Sequence, residues 1–219
     1  MTAGDAAIHR LAAGLELLQL EVSSSALQQL SLYLDLLQRW NSAYNLTAVR
    51  DPLAMVDRHL LDSAAILPFI KTDARKAIDV GTGAGLPGVP LAILKPELTV
   101  DLLDSNSKKT RFLFQVKTAL GLDNIAARHA RAEDWSPDYQ YDLVVSRAFA
   151  ALSDMVRSCS HLCSPGGRLL AMKGLIQATE LEAIADTAML EEIHPLVVPG
   201  LSEERHLVVL APAGSPLAP

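Results

Sequence analysis

Short aliphatic runs alternate with helical segments from Arg75 onward, and this alternation limits the folds that the chain can adopt. A repeat of strand, helix and strand builds a mainly parallel sheet with helices on both faces, so we predict an α/β fold. The predicted strands are Ala77–Val80, Val100–Leu103, Ile125–Ala127, Leu143–Val145, Leu169–Met172, Leu196–Val198 and Leu207–Leu210. The predicted helices between them are Val89–Leu94, Lys108–Leu120, Leu152–Leu162 and Ile176–Leu190. A short link containing Pro199 and Gly200 joins the last two strands, which predicts an antiparallel pair that ends the sheet.

The first third of the chain has the spacing of amphipathic helices. Helical periodicity covers Asp5 to Val22, a second helix runs from about Ser24 to about Trp40, and a third begins at Asp51–Pro52. We therefore predict three parts: residues 1–74 as an N-terminal helical extension, residues 75–210 as the α/β domain, and residues 211–219 as a disordered tail. The tail is rich in proline and has no periodic pattern.

The composition excludes several classes of protein. Half of the 219 residues are hydrophobic and 20% are charged, which supplies a core and is unlike a disordered chain. No apolar run approaches the roughly 20 residues that cross a bilayer, and the N-terminus lacks the pattern of a signal peptide. Two cysteines do not make a disulfide framework. On a helix, His161 would point away from Cys159 and Cys163, so we expect no metal. These features predict a cytoplasmic protein without a membrane partner.

The net charge of −6 does not by itself exclude a nucleic-acid partner. From Gly174 to the end of the chain there are seven acidic residues and one arginine, so the preceding residues are neutral overall. Within that neutral part, Lys108, Lys109, Arg111 and Lys117 form a local basic run. Binding follows local patches of charge, so both a polyanionic partner and a solvated helix face stay open as interpretations.

The segment Asp79–Gly88 is the strongest local signal in the sequence. It follows the first predicted strand, opens a helix and reads DVGTGAGLPG. Glycines at such a position let the backbone turn sharply and approach a ligand that a Cβ would exclude. Asp104 ends the next strand, where a carboxylate can accept both hydroxyls of a ribose, and Ala132 and Glu133 follow the third strand. These positions predict a nucleoside cofactor at the carboxyl edge of the sheet.

Two cofactors compete for this site. Gly83–Gly88 also matches the pattern G-x-G-x-x-G, and Asp104 lies near the offset expected for NAD, so an NAD-dependent oxidoreductase stays open as an alternative. Against it, Pro87 removes an amide that could face a pyrophosphate, and the pair Ala132–Glu133 suits a compact adenosine cofactor. The residues therefore favour S-adenosylmethionine, and a tight turn that binds nothing is the third interpretation.

Charged side chains at strand ends are further candidates for the site. Arg147 follows the fourth strand, Lys173 ends the fifth, and Arg205 precedes the last one. Each of them could contact an anionic ligand or pair with an acid at the sheet edge. His59 and Asp62 lie about one helical turn apart, so they could pair with each other and either dock the helical extension or contact substrate.

The methyl acceptor is less closely defined by the residues. The fourth strand leads into Ser146–Ala150, which reads SRAFA and lacks the Asn/Asp-Pro-Pro-aromatic motif of enzymes that methylate exocyclic base amines. A ring nitrogen of a purine carries its own lone pair and needs alignment rather than a base. Such an acceptor is compatible with the sequence, and no catalytic residue is predicted.

Seven short motifs occur together and in order along the chain. They are Arg39–Asn41, Tyr44–Thr47, Arg58–Ser63, Asp79–Gly88, Ser146–Ala150, Lys173–Gly174 and Glu204–Val209. In this combination the chain closely resembles the ribosomal RNA small-subunit methyltransferase G family, also called glucose-inhibited division protein B, from about Leu27 to Leu210. The resemblance implies a Rossmann-like class I methyltransferase with a mostly parallel seven-stranded sheet and an antiparallel closing strand. It also implies a bacterial cytoplasmic enzyme that uses S-adenosylmethionine to methylate N7 of a guanine in 16S rRNA, free or in an assembling small subunit.

The resemblance also implies which residues bind the cofactor. The positions that match the family's motifs are Gly81, Leu86, Ala132, Glu133 and Arg147, and the argument from the residues adds Gly83 and Asp104. No catalytic residue is carried over. Ala84 stands where many members of the family have proline, and we expect this difference to loosen the loop slightly without removing a contact.

Overall fold

A computed structural model describes residues 3–213, which form one seven-stranded sheet with helices on both faces. The strands are β1 (Lys76–Val80), β2 (Thr99–Asp104), β3 (Ile125–His129), β4 (Tyr141–Ser146), β5 (Cys163–Lys173), β6 (Ala188–Pro195) and β7 (His206–Pro212). The α-helices are α1 (Ala3–Leu17), α2 (Ser24–Tyr44), α3 (Pro52–Met55), α4 (Asp62–Ala64), α5 (Gly88–Leu94), α6 (Ser107–Leu120), α7 (Leu152–Cys159) and α8 (Ala178–Glu182). A π-helix (Val56–Leu61) joins α3 to α4, and 3-10 turns cover Leu67–Phe69 and Ser160–Leu162.

The order of the strands across the sheet is β3-β2-β1-β4-β5-β7-β6. The first five strands in the chain pair in parallel, whereas β7 pairs antiparallel with both β5 and β6. The mainly parallel sheet and the antiparallel closing pair are therefore confirmed. Because the chain order reverses between β1 and β4, their carboxyl ends border the crevice where open α/β sheets bind ligands.

The sixth strand lies outside its predicted position. The predicted strand Leu196–Val198 and the end of the predicted helix Ile176–Leu190 are both wrong, because β6 covers Ala188–Pro195 and α8 ends at Glu182. β6 is an edge strand, and its adjacent acids, Glu191 and Glu192, interrupt the apolar alternation that would reveal it. Leu196 and Val198 are buried in the core without belonging to a strand.

The end of the chain differs slightly from the predicted boundary. β7 continues to Pro212, so two residues that were placed in the tail belong to the sheet. Residues 214–219 of the predicted tail lie outside the described residues. Within residues 3–213, none of the helices combines the length and apolar composition that a bilayer crossing requires.

Local capping explains where the N-terminal helices begin. The Ser23 side chain accepts a hydrogen bond from the amide of Ala26 and caps α2, and Asp51 caps α3 through the amide of Ala54. Beyond α3, the chain forms a π-helix rather than a regular helix, with the amide of Asp62 bonded to the carbonyl of Asp57. Such wide turns are frequent at functional sites because they change the direction in which side chains point.

The N-terminal helices and the sheet share one hydrophobic cluster. Leu11 and Leu37 from the helices belong to the same buried cluster as Val100 and Leu102 from β2. The buried hydroxyl of Tyr33 in α2 donates a hydrogen bond of 2.7 Å to the carbonyl of Ala84, in the glycine loop after β1. The extension is thereby attached directly to the loop that the sequence assigns to the cofactor.

Candidate functional site

The glycine loop after β1 uses backbone conformations that favour glycine. Gly81, Gly83 and Gly85 have φ angles of 68°, 61° and 94°. A Cβ at Gly81 would lie 2.6 Å from the Cβ of Ala148, in the segment after β4. The loop therefore approaches the end of β4 more closely than any side chain at Gly81 would permit.

A buried carboxylate fastens the base of this loop. Asp79 Oδ2 accepts hydrogen bonds from Thr82 Oγ1 at 2.6 Å and from the amide of Gly88 at 2.7 Å. Asp79 Oδ1 is buried without a hydrogen-bond partner among the described residues. Burial raises the pKa of Asp79 to about 6, against the opposing effect of its hydrogen bonds. The Asp79 carboxyl is therefore mostly ionised at neutral pH, although burial disfavours its charge. Its hydrogen bonds join the start of the loop to the start of α5.

Asp104 links the loop to the end of β2. Its Oδ2 accepts a hydrogen bond of 2.9 Å from the amide of Gly83, and its Oδ1 accepts one of 2.8 Å from the amide of Asn106. Lys109 Nζ lies 3.5 Å from Oδ2. Each carboxylate oxygen can accept more than one hydrogen bond, so Asp104 keeps capacity for a ligand hydroxyl.

Four of the predicted cofactor residues line one cavity of about 300 Å³, which we call the acidic cavity. They are Gly81, Asp104, Ala132 and Glu133. The Glu133 carboxylate is exposed and accepts a hydrogen bond of 2.9 Å from Ser158 Oγ. The backbone amide of Glu133 and then Ser158 lower the pKa of this carboxyl, so it is ionised at neutral pH. The cavity, which we name after the carboxylates of Asp104 and Glu133, is also lined by Lys109 and Arg131 beside the glycine turn.

The remaining predicted residues line a smaller space of about 180 Å³, which we call the junction cavity. Gly83, Leu86 and Arg147 line it together with Gly81, which also lines the acidic cavity. All seven predicted residues are thus placed around two cavities that meet at Gly81 and Ala148. The structure brings them together at the carboxyl ends of β1, β2, β3 and β4.

A third space of about 410 Å³ adjoins the junction cavity and has basic walls, so we call it the basic cavity. Arg147 and His59 line both of these cavities, and Phe149 lines both the basic and the acidic cavity. The basic residues along its walls are Arg58, Arg147, Lys173 and Arg205. The three cavities consequently share walls along the carboxyl edge of the sheet.

Asp62 lines the basic cavity and forms ion pairs with two arginines, Arg147 and Arg205. The sequence did not predict this pairing. Arg147 Nη1 donates to Asp62 Oδ2 at 2.9 Å, and Arg205 Nε donates to Asp62 Oδ1 at 3.2 Å. Arg147 Nη1 also donates to the carbonyl of Arg58 at 2.9 Å. The two contacts join residues that are 85 and 143 positions apart in the chain. No spacing rule in a sequence predicts contacts over such separations.

His59 forms no hydrogen bond with Asp62 among the described residues, so the pairing that their spacing suggested is absent. Its Nε2 instead shares a hydrogen bond of 2.8 Å with Thr47 Oγ1. Burial and then the charge of Arg147 lower the pKa of His59 to about 4, so the ring is neutral at physiological pH. His59 therefore adds no charge to the cavities that it lines.

The two cysteines lie away from these cavities. Cys159 ends α7 and Cys163 begins β5, so they do not share one helix as the sequence analysis assumed. Both are free and buried, and burial raises the pKa of each thiol to about 12. Neither thiol is therefore a nucleophile at neutral pH.

Comparison with known proteins identifies the family. The family model GidB, rRNA small subunit methyltransferase G, matches residues 26–208. The ribosomal RNA small subunit methyltransferase G of Marinobacter nauticus is 50% identical over 200 residues, which cover 91% of this chain and 92% of that protein. The protein of the same name from Alkalilimnicola ehrlichii is 50% identical over 214 residues, which cover 97% and 96% of the two chains.

Solved structures show the same fold at low sequence identity. TrmN from Thermus thermophilus is similar with a TM-score of 0.58 and 20% identity, over 80% of this chain and 52% of that chain. The glycopeptide N-methyltransferase MtfA in complex with S-adenosylmethionine has a TM-score of 0.59 and 10% identity, over 70% and 94% of the chains. The predicted class I methyltransferase fold is confirmed. The resemblance that the motifs indicated is confirmed as well, and the chain belongs to the GidB family, rRNA small subunit methyltransferase G.

Proposed function

We propose that the acidic, junction and basic cavities form one active site, which transfers a methyl group from S-adenosylmethionine to N7 of a guanine in 16S rRNA. The observation that carries this proposal is the sharing of walls between the cavities. Gly81 and Ala148 line both the acidic and the junction cavity, and Arg147 lines both the junction and the basic cavity. A cofactor on the acidic side and an anionic substrate on the basic side would meet between them.

The residues of the acidic cavity fit S-adenosylmethionine. Asp104 has lone pairs for the ribose hydroxyls, and the turn at Gly81 brings backbone close to the space that a ligand would fill. Ala132 and Glu133 line the same space and suit the edge of an adenine. Gly83 has open space where a side chain would be, with the nearest atoms 3.9 Å from an added Cβ. These features support the assignment of five predicted residues to cofactor binding, and we assign Leu86 and Arg147, which line the adjoining junction cavity, to the same role.

The chain's own residues position the reactants. When bound, S-adenosylmethionine supplies an electrophilic methyl group. Leu86 and Ala148 supply apolar surface to the junction cavity, while Arg147 is held at its border by Asp62. N7 of guanine has a lone pair and loses no proton on methylation, so alignment replaces general base catalysis. The pKa of His59, lowered to about 4, makes its ring a weak base, which is consistent with a site that transfers no proton.

The substrate class follows from the family and from the basic cavity. The names of the relatives refer to ribosomal RNA of the small subunit, and proteins read RNA loops through unstacked bases. We assign 16S rRNA, free or in an assembling small subunit, as the partner and the cytoplasm as the location. We also assign residues 75–210 to the methyltransferase domain and residues 1–74 to an extension that contributes Arg58, His59 and Asp62 to the substrate side.

An NAD-dependent oxidoreductase gains no support from the loop geometry. The amide of Gly88 is bonded to Asp79, and the amide of Val89 is bonded to the carbonyl of Gly85 at 2.7 Å. Pro87 has no amide hydrogen, so these first amides around the start of α5 are withheld from a pyrophosphate. The family match also leaves this alternative without support.

A thermal shift experiment tests the choice of cofactor. A ligand at 100 times its dissociation constant stabilises the folded state by about 2.7 kcal/mol, which raises the melting temperature by roughly 5 to 11 °C. We expect S-adenosylmethionine to produce this shift and NAD to produce none at the same concentration. A shift with NAD alone would overturn the proposed function.

A further inference from the structure

The walls of the basic cavity are of two kinds, and together they match the two parts of a nucleotide. One kind carries the four cations already described. The other kind is apolar and consists of Val49, Phe149, Met172 and Leu175. A nucleotide has an anionic phosphate and a flat base whose faces are apolar, so it needs both kinds of wall.

Two of the four cations are engaged by partners of their own. Lys173 Nζ contacts the carbonyl of Ala150 and the carboxylate of Glu180, and its side chain is 10% exposed. Arg58 forms an ion pair with Glu203. These contacts neutralise Lys173 and Arg58 and shape the wall, which leaves Arg147 and Arg205 as the cations to consider for an anion.

Arg147 and Arg205 share a single carboxylate. The Asp62 side chain is 2% exposed and accepts hydrogen bonds from both guanidinium groups. Its single negative charge balances only one of the two positive charges. His59, which lines the same cavity, is neutral. The Arg205 contacts to Asp62 and to the carbonyl of Glu204 use Nε and Nη1, so within residues 3–213 its Nη2 hydrogens have no partner and could bind a phosphate oxygen.

The apolar wall of the basic cavity extends to the acidic cavity. Phe149 is half-buried and lines both the basic and the acidic cavity, so a base against its ring lies beside the acidic cavity. Leu175 also lines the basic cavity and is 74% exposed, so it supplies apolar surface for a base that has left its stack.

We infer that the basic cavity holds one unstacked nucleotide of the RNA substrate, with its base against Phe149 and an adjoining phosphate on Arg205. Asp62 is the positioning residue, because it fixes the Arg205 side chain in the wall. The Phe149 ring has a further effect on the reaction, since methylation at N7 leaves the guanine positively charged and an aromatic face attracts a cation. This inference rests on the proposed function and assigns the substrate side of the same site.

Arg205→Gln tests the phosphate contact. Binding of a 16S rRNA fragment is measured at several salt concentrations, alongside the affinity for S-adenosylmethionine. We expect RNA affinity to fall about tenfold and the slope of log K against log salt to become shallower by about 0.7, the value for one phosphate contact on a single strand. The cofactor affinity should stay unchanged. Arg75→Gln is the matched control, because Arg75 is exposed and lines none of the three cavities.

Phe149→Leu tests the base contact. We expect kcat/KM for the RNA to fall about tenfold, in line with the loss of one base–aromatic stack, while Phe149→Tyr retains most of the rate. Phe69→Leu is the control, because Phe69 stacks on His194 and lines none of the three cavities. Melting curves of each variant establish that it is folded before its kinetics are compared.

The outcomes separate this inference from the proposed function. If the wild-type protein transfers no methyl group to 16S rRNA, the proposed function is wrong and the inference falls with it. If the wild type is active but folded Arg205→Gln keeps the wild-type RNA affinity and salt slope, the inference alone is wrong. A variant that loses cofactor affinity and keeps RNA affinity would also overturn it, since the basic cavity would then belong to the cofactor.

Discussion

The acidic and basic cavities lie side by side but are built in different ways. On the acidic side, backbone groups hold the shape, with the amide of Gly83 on Asp104 and the amide of Gly88 on Asp79. On the basic side, side-chain ion pairs hold the shape, with Asp62 between two arginines. We therefore expect backbone changes to weaken cofactor binding first, whereas removal of a charge should weaken RNA binding first.

The largest expected effect is on the acidic side, from Gly81→Ala. The new Cβ would lie 2.6 Å from Ala148 Cβ, and the alanine would have to keep the left-handed backbone conformation of Gly81. We therefore expect the loop to shift from its position beside the cofactor. We expect affinity for S-adenosylmethionine, measured by calorimetry, to fall about 100-fold with RNA affinity retained. Gly121→Ala is the control, because it has the same φ strain with no atom within 4 Å of the added Cβ. Equal losses in both variants would mean that strain, not close approach, explains the effect.

The second prediction concerns pH and the buried acid beneath the loop. The pKa of Asp79 is about 6 in the folded protein, above its value in the unfolded chain, so its favourable contribution is complete below about pH 4 and is lost as the pH rises through 6. Asp79→Asn removes this dependence. We expect the stability of the wild type relative to the variant to fall by on the order of 2 kcal/mol between pH 4 and pH 7. Parallel stability curves across this range, from chemical unfolding, would contradict the prediction.

Arg147→Ala tests the boundary between the two sides. Arg147 lines both the junction and the basic cavity, and its loss leaves the buried Asp62 with one partner instead of two. We expect kcat/KM for methyl transfer to fall about 20-fold, with weaker binding of the cofactor. Arg75→Ala supplies the comparison, because Arg75 is exposed and precedes the amino end of β1, at the opposite edge of the sheet. Unchanged cofactor affinity and unchanged methyl transfer would show that the role assigned to Arg147 is wrong.

The smallest expected effect is that of Asp104→Asn. The amide side chain keeps the size and one acceptor oxygen, but it loses the charge and part of the capacity for ribose hydroxyls. We expect affinity for S-adenosylmethionine to fall about fivefold, with no change in RNA affinity. Asp123→Asn at an exposed turn before β3 is the control for charge alone. A larger loss for RNA than for the cofactor would reverse the assignment of the two cavities.

The acidic side could be predicted from the sequence because its residues obey a topological rule. Strands that run in parallel end at the same edge of the sheet, so the turns after β1, β2 and β3 bring Gly81, Asp104 and Ala132 together. The strand that was misplaced, β6, lies at the far edge of the sheet and does not affect this site. A local pattern was sufficient wherever neighbouring strands decide the geometry.

The basic side could not be predicted in the same way. Asp62 in α4 and Arg205 before β7 are 143 positions apart in the chain, and their contact depends on how the extension docks against the sheet. The sequence assigned Arg147 to the cofactor but left open whether Lys173 and Arg205 contact an anionic ligand. Partner contacts distinguish these two residues, since Lys173 is engaged by Ala150 and Glu180.

The most direct test of the account is methyl transfer from labelled S-adenosylmethionine to 16S rRNA, followed by mapping of the labelled nucleotide. The account predicts label at N7 of a guanine with the wild-type protein and almost none with Gly81→Ala, although the variant still binds RNA. Label at another atom would contradict the proposed acceptor. An absence of label on both free 16S rRNA and small subunits, from a protein that binds S-adenosylmethionine, would contradict the proposed reaction.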